Sequence, residues 1–409
     1  MRPLSGATSD GLEACMSDAP TATLVVEPDP GGHRFQAVAA VADLARSFGP
    51  VVLLTSAEGR VSPALEVFLG EQVRRGDLTV VDAFDHIHPP TRQMATEVAS
   101  RCRSGVEGVP VGRAVVMDAD QALKRWWAVA PRLMRGLEVR PRIVFMLTRY
   151  PARLALTDLT GWRLRGPKAV LAVLGMATGS LHRTVGFSGR DDAATGWIVK
   201  RVRDPHYCSA HSRDRAQHRA ALGLPADRPL VGIFGAVDAR KNPQLVLEAI
   251  DAAGLDATLV VAGGFDDEVR AWAAGLDQAD RERVFLRDEF LDNDVLDRFV
   301  ASVDVVPLAL TNNGPSGIMG KAQAAAVPVV TAGSRVRARE VEATGTGIAC
   351  DFTAASIGDA MRRAIGGEVG PVGTPLGEVT ADEFAMTLLG VDADGRPFDR
   401  RRAMAGGRR

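Results

Sequence analysis

Short apolar runs alternate with stretches of helical periodicity along most of the chain. Thr23–Glu27 (TLVVE) reads as a strand that closes on a Gly/Pro turn, and HRFQAVAAVADLARSFG then spaces its apolar residues for a helix. The alternation continues with strands at 51–55 (VVLLT), 78–81 (LTVV), 114–117 (AVVM) and 142–147 (RIVFML). Helices fall near 61–72, near 91–103 and from about 121. Strands that are apolar throughout, set between amphipathic helices, predict a parallel sheet covered on both faces.

The rhythm breaks between 188 and 228, where SGRDDAATG, RDPH, a short helix near 212–222 ending in Gly223, and LPADRP read as an interdomain connection. It restarts with PLVGIFG at 229–235, a helix after Asn242, ATLVVAGG at 257–264, VFL at 284–286, DVVPL at 304–308 and PVVT at 328–331. The pattern predicts two doubly wound α/β units in succession, over 23–210 and 211–368. A disordered lead-in at 1–22 and a C-terminal helix with a disordered tail at 369–409 complete the expected organisation.

Composition narrows the function classes. The 409 residues suit two domains, with 46% hydrophobic and 24% charged residues. The net charge of -1 supplies no overall pull toward nucleic acid, and no recognisable nucleic-acid module is present, so no nucleic-acid partner is expected. Cys15, Cys102, Cys208 and Cys350 are isolated thiols of a reducing compartment, which places the chain in the cytoplasm. No run approaches the ~18 apolar residues of a membrane span. Asp10, Glu13 and Asp18 interrupt the first residues, unlike a signal peptide.

The charge is uneven, however. Between Lys124 and Lys168 eleven Lys/Arg stand against Glu138 and Asp158, with Trp126, Trp127 and Trp162 interleaved. This region reads either as solvated helix faces or as a surface for anionic lipid or an acidic acceptor, which adds peripheral membrane association to the expectations.

In doubly wound sheets ligands bind at the carboxyl ends of the strands, so the strand-to-helix turns hold the candidate chemistry. The first turn, Pro28-Asp29-Pro30-Gly31-Gly32-His33-Arg34, offers paired glycines and a helix start suited to an anion. It is not GxGxxG, which argues against nicotinamide or flavin. The richest turn, Thr311-Asn312-Asn313-Gly314-Pro315-Ser316-Gly317, presents N–H donors and a hydroxyl, with Lys321 one turn into the following helix. That is the donor set a diphosphate requires. The turn Asp238-Ala239-Arg240-Lys241-Asn242-Pro243 places two cations before a helix, and Ala262-Gly263-Gly264-Phe265 is a further glycine-rich approach. Asp118-Ala119-Asp120 evokes a metal-binding DxD, and His86-Ile87-His88 lies near Asp82 and Asp85. Neither supplies a full ligand set, and no metal is expected.

Together these features resemble the family 4 glycosyltransferases of GT-B fold, most closely over 229–366 and more weakly over 23–210. Gly235 to Lys241-Asn242 matches the motif that opens the family's donor domain; Ala236 stands where an Arg is frequent, leaving Arg240 as its substitute. Val260–Gly264, Val284–Arg287, Ser302-Val303-Asp304 through Pro307, and Ala326-Val327-Pro328-Val329-Val330 match further family segments. Gly32-His33-Arg34-Phe35 resembles the opening of a subset of these enzymes, and Asp204-Pro205 also fits them. The family's two glutamates, eight positions apart, fall here on Asn313 and Lys321.

The resemblance implies two Rossmann-like domains facing across a cleft and transfer of a sugar from a nucleoside diphosphate to an acceptor hydroxyl, with retention of configuration. The nucleotide sugar is a co-substrate and no separate cofactor is implied. Lys241, Arg240 and Asn313 take the catalytic positions. Gly235, Gly263, Gly264, Arg287, Gly314, Ser316, Gly317 and Lys321 surround the donor. Gly31, Gly32, His33 and Asp118 face the acceptor, a glycan, lipid or small molecule. The rival readings are a nucleotide-sugar epimerase or phosphorylase on the same fold, and a non-catalytic protein that binds nucleotide sugars.

Overall fold

The computed structural model describes residues 20–392 except 32–33, 149, 151–158, 189–197, 206, 313–315 and 370–379. β1 (Ala22–Val26), β2 (Val51–Ser56), β3 (Thr79–Phe84), β4 (Val111–Val116), β5 (Arg142–Leu147), β6 (Arg183–Ser188) and β7 (Val199–Arg203) form one sheet. Its order is β3-β2-β1-β4-β5-β6-β7, and the paired strands are parallel. Every residue of β1 and β2 is buried, as apolar runs covered on both faces require. β7 falls where the sequence rhythm suggests a connection, just after β6. In β7 (VKRVR) the apolar residues alternate with cations, which suits a strand at the sheet edge and hides it from a search for continuous apolar runs.

The second half repeats the plan. β8 (Leu230–Phe234), β9 (Thr258–Gly263) and β10 (Val284–Asp288) make one three-stranded parallel sheet, in order β10-β9-β8. β11 (Val306–Ala309), β12 (Val329–Ala332) and β13 (Gly347–Cys350) make another, in order β11-β12-β13. A parallel bridge from Val231 to Val305 and the bond from Gly232 N to Val305 O at 3.0 Å join them. The combined order therefore reverses between β8 and β11, just as that of the first sheet reverses between β1 and β4. In such sheets the crevice for a ligand opens at these reversal points, outside the strands' carboxyl ends.

Polar caps start the helices that follow. Ser62 with Pro63 opens Pro63–Arg74, Asp292 opens Asn293–Ser302, and Ser316 opens Gly317–Ala324. The last described helix, Ala381–Leu389, leaves the second domain and packs on the first. Phe384, Leu388 and Leu389 enter the core around Phe35 and Val38, while the Arg183 guanidinium donates to the carbonyl of Thr387. Phe68 and Phe290 meet edge to face, 6.3 Å apart, so the two domains touch. Among the described residues no helix is long and apolar enough to cross a membrane.

Candidate functional site

At the end of β8 the chain turns on Gly235, at φ 86°, whose amide donates to the Ala262 carbonyl at 3.1 Å. Gly263, at φ 139°, lies so near that a Cβ there would sit 1.8 Å from the Gly235 carbonyl oxygen. Any side chain would push these two backbones apart, so close approach explains both glycines. Gly264 follows with open space above it. A Cβ on Gly235 would also meet Lys241 Nζ and Ile318, each at 3.5 Å. One small volume thus gathers the ends of β8 and β9, the Lys241 ammonium and the first turn of Gly317–Ala324.

The turn carrying Lys241 is braced from several sides. Asp238 accepts from the Arg240 amide at 3.0 Å, and Asp266 accepts from Ala239 N at 3.3 Å while capping the next helix through Val269 N at 2.9 Å. Asn242 adopts the left-handed conformation and donates to the Arg240 and Ala309 carbonyls, both at 2.8 Å. Ala309 ends β11, so Asn242 ties this turn to the strand that leads into the Asn/Gly/Ser turn. Lys241 is half-buried and donates to the Phe234 carbonyl. Burial pushes its ammonium down to about 8, with nearby Asp238 opposing the shift. A cation whose hydrogen-bond partner is a neutral carbonyl favours an incoming anion.

The other donor-side expectations fare unevenly. Ser316 Oγ caps the helix through Met319 N at 3.4 Å, and Gly317 is its first residue. Asn313 and Gly314 lie outside the described residues. Arg240, expected beside the phosphates, instead pairs with Asp238 at 2.5 Å, and its side chain is 73% exposed. Arg287, on β10 in register with Ala262 of β9, pairs with Glu289 and lies 5.5 Å from the centroid of the Phe299 ring.

Lys321 requires the largest correction. Its side chain is 9% exposed, and Nζ pairs with Asp297 Oδ1 at 2.5 Å. Asp297 is fully buried on the helix Asn293–Ser302, and its other oxygen accepts from Ser209 N at 2.8 Å and Ser209 Oγ at 3.1 Å. A buried ammonium needs a counter-charge. Lys321 has found it inside the domain rather than on a donor.

Arg337 escaped the sequence reading. It is fully buried in the first turn of Arg335–Thr344 and donates to Asn312 Oδ1 at 3.1 Å and to the Leu310 carbonyl. It therefore pins the chain immediately before the Asn/Gly/Ser turn.

A second group gathers at the ends of β1, β4 and β5. Arg34 reaches Glu27 at 3.4 Å, Asp29 at 3.3 Å and Asp118 at 3.0 Å. Thr148 Oγ1 donates toward Asp118 at 3.1 Å, and Asp120 accepts from Thr148 N at 2.8 Å and from Lys168. The two carboxylates of the DxD-like run are thus engaged by Arg34, Thr148 and Lys168. Gly31 donates to Asp29 Oδ1 at 2.8 Å, which shapes the turn, while Gly32 and His33 lie outside the described residues.

Glu27 was hidden as the last letter of an apolar strand. It is buried, and desolvation pushes its carboxyl up to about 8, with Arg34 and the Asp29 amide pulling it back. An acid whose folded pKa exceeds its unfolded value of 4.5 holds its proton only in the folded state between those limits. Stability therefore falls as pH rises through that window. Glu27→Gln should remove this loss. Thermal melts at pH 5 and pH 8 should differ more for the parent chain than for the variant, and parallel pH profiles would refute a neutral Glu27.

Residues 228–366 match the family model described as glycosyl transferases group 1. No curated protein sequence matches the chain. Among solved structures, Anabaena Alr3699/HepE in complex with UDP is similar at 14% identity and TM-score 0.59, over 90% of this chain and 95% of that one. A glycosyltransferase from Rickettsia africae ESF-5 is similar at 8% identity and TM-score 0.59, over 94% and 97%. Sucrose-phosphate synthase from Thermosynechococcus elongatus follows at 17% identity and TM-score 0.53, over 91% and 95%. At these identities the likeness is one of fold.

Proposed function

We propose that this chain, a group 1 glycosyl transferase through residues 228–366 and of GT-B fold overall, moves a sugar from a nucleoside diphosphate to an acceptor hydroxyl. The observation that carries the reading is the knot of Gly235, Gly263, Lys241 and Ile318 at the β8/β11 reversal point. Beside these two apposed backbones Gly264 has open space above it, where a ligand can approach. The amides at the start of Gly317–Ala324 face an anion favourably, and Lys241 supplies the full charge.

The chemistry follows from those parts. As the bond between the anomeric carbon and the diphosphate oxygen lengthens, negative charge grows on the leaving diphosphate and positive charge on the sugar ring. Lys241 and the helix start stabilise the first of these, most strongly at the transition state. Asn313 and Gly314 complete the same turn in this proposal, and Arg337 holds its approach by gripping Leu310 and Asn312. The group of Gly31, Asp118 and Arg34 belongs to the acceptor side, across the cleft. Retention of configuration goes with the family resemblance.

One observation favours a second reading. Lys321 occupies a family glutamate position and is bound to Asp297, which leaves that side chain no part in holding a ribose. A chain that binds nucleotide sugars without transferring them would carry such a change. Incubating the full-length protein with a panel of UDP- and GDP-sugars separates the two. Sugar release or transfer from at least one donor is expected, whereas saturable donor binding with no turnover across the panel would establish the non-catalytic reading.

A further inference from the structure

The helix Leu159–Ala177 packs Ala172, Leu171 and Met176 on the core, yet its outer side is apolar as well. Ala172 and Gly175 face inward, Lys168 reaches Asp120, and Arg165 Nε donates to Tyr150 Oη at 3.2 Å. On the opposite side the helix presents Leu159, Val170, Val173 and Leu174, of which Leu159 is 71% and Val170 60% exposed. Trp162 is exposed on the same side, beside Arg163. The outward face of a helix in a water-soluble domain is ordinarily polar, so an apolar stripe along some four turns calls for a covering.

The helix Leu123–Leu133 packs alongside. It buries Trp126, whose indole donates to the Ser180 carbonyl at 2.9 Å, but leaves Trp127 exposed together with Lys124, Arg125 and Arg132. Neither helix contains an Asp or Glu. The sequence reading took this region for a field of cations, but the structure scatters those cations. Lys168 and Arg165 turn inward, and Arg142 begins β5. What remains outside is an apolar ridge flanked by a short basic row.

We infer that this ridge docks on an anionic lipid bilayer, its leucine, valine and tryptophan side chains entering the headgroup boundary and Lys124, Arg125, Arg132 and Arg163 meeting the lipid phosphates. Apolar and cationic residues in this arrangement are what an interfacial helix requires. Charge complementarity favours lipid over a second copy of the chain. A two-fold contact through these helices would set basic rows against each other with no acid on either helix to pair them.

Flotation of the full-length protein with vesicles tests the inference without reference to sugar transfer. The protein should float with phosphatidylcholine vesicles containing phosphatidylglycerol at least about tenfold more than with phosphatidylcholine alone, and less at high salt. Val170→Glu with Leu174→Glu, both at exposed positions, should lower flotation about tenfold or more with an unchanged melting temperature. Lys124→Glu with Arg125→Glu should lower it through charge alone. Absence of flotation, or equal flotation of the Val170/Leu174 variant, would overturn the inference. So would sedimentation showing a dimer that this variant dissolves, because the ridge would then be covered by a second copy.

Discussion

Replacing Lys241 by Ala should lower kcat by about 10²-fold or more, by analogy with the loss of one preorganised donor to a developing anion. The expected size follows from position. Nζ lies against Gly235, where two glycine backbones close on each other, and its nearest partner is a neutral carbonyl rather than a carboxylate. The same position gives a sign on stability. With a folded pKa near 8 against an ordinary 10.5, Lys241 costs the empty protein stability below pH 8. That cost is relieved as pH rises from about 8 toward 10.5, where only the unfolded chain still holds the proton. Lys241→Met should therefore melt higher than the parent at pH 7 while losing turnover. Steady-state kinetics and thermal melts on the same preparations check both halves, and an unchanged kcat would remove Lys241 from the mechanism.

The second large effect is structural. Lys321→Ala strands Asp297 in the interior with only Ser209 as partner, and breaking a buried pair in this way costs about 3–5 kcal/mol. Lys321→Glu, which places there the residue that the family resemblance implies, should be worse. Two like charges at ~4 Å repel by about 4 kcal/mol at an effective dielectric near 20. The damage should appear as a lowered melting temperature before any loss of donor affinity. Lys321→Met combined with Asp297→Leu should recover much of the stability, since an apolar pair can replace a buried ionic one. Melting of Lys321→Ala within a degree of the parent would show that the pair contributes nothing.

Much of this molecule was legible in its residues, for identifiable reasons. Central strands such as β1, β2 and β8 are apolar along most of their length because helices cover both faces, and that pattern survives in one dimension. Gly263 could be singled out because a glycine-rich turn after a strand implies a close approach, and Gly235 through its resemblance to the family motif that runs to Lys241-Asn242. The misreadings come from side-chain partners that the local pattern does not announce, whether near in sequence or far from it. Nothing near Lys321 announces Asp297, which lies on another helix, and Arg240 looked free because Asp238 was counted only as part of a turn. Glu27 takes its character from burial at the end of β1, against which Arg34 pulls, and neither shows in the strand's own letters. Arg337 matters only through its grip on Leu310 and Asn312. The apolar ridge of Leu159–Ala177 was masked for a further reason: with Arg163, Arg165 and Lys168 among its apolar residues, the sequence does not reveal which side the sheet will cover.

A donor site built at the β8/β11 reversal must hold a nucleoside diphosphate even without a sugar or an acceptor. Calorimetric titration of the full-length protein with UDP and GDP should show saturable one-site binding of at least one of them, weakened at least about tenfold in Lys241→Ala, the loss of one charge-assisted contact. A folded protein that takes up neither diphosphate, or a Lys241→Ala variant that binds as tightly as the parent, would contradict it.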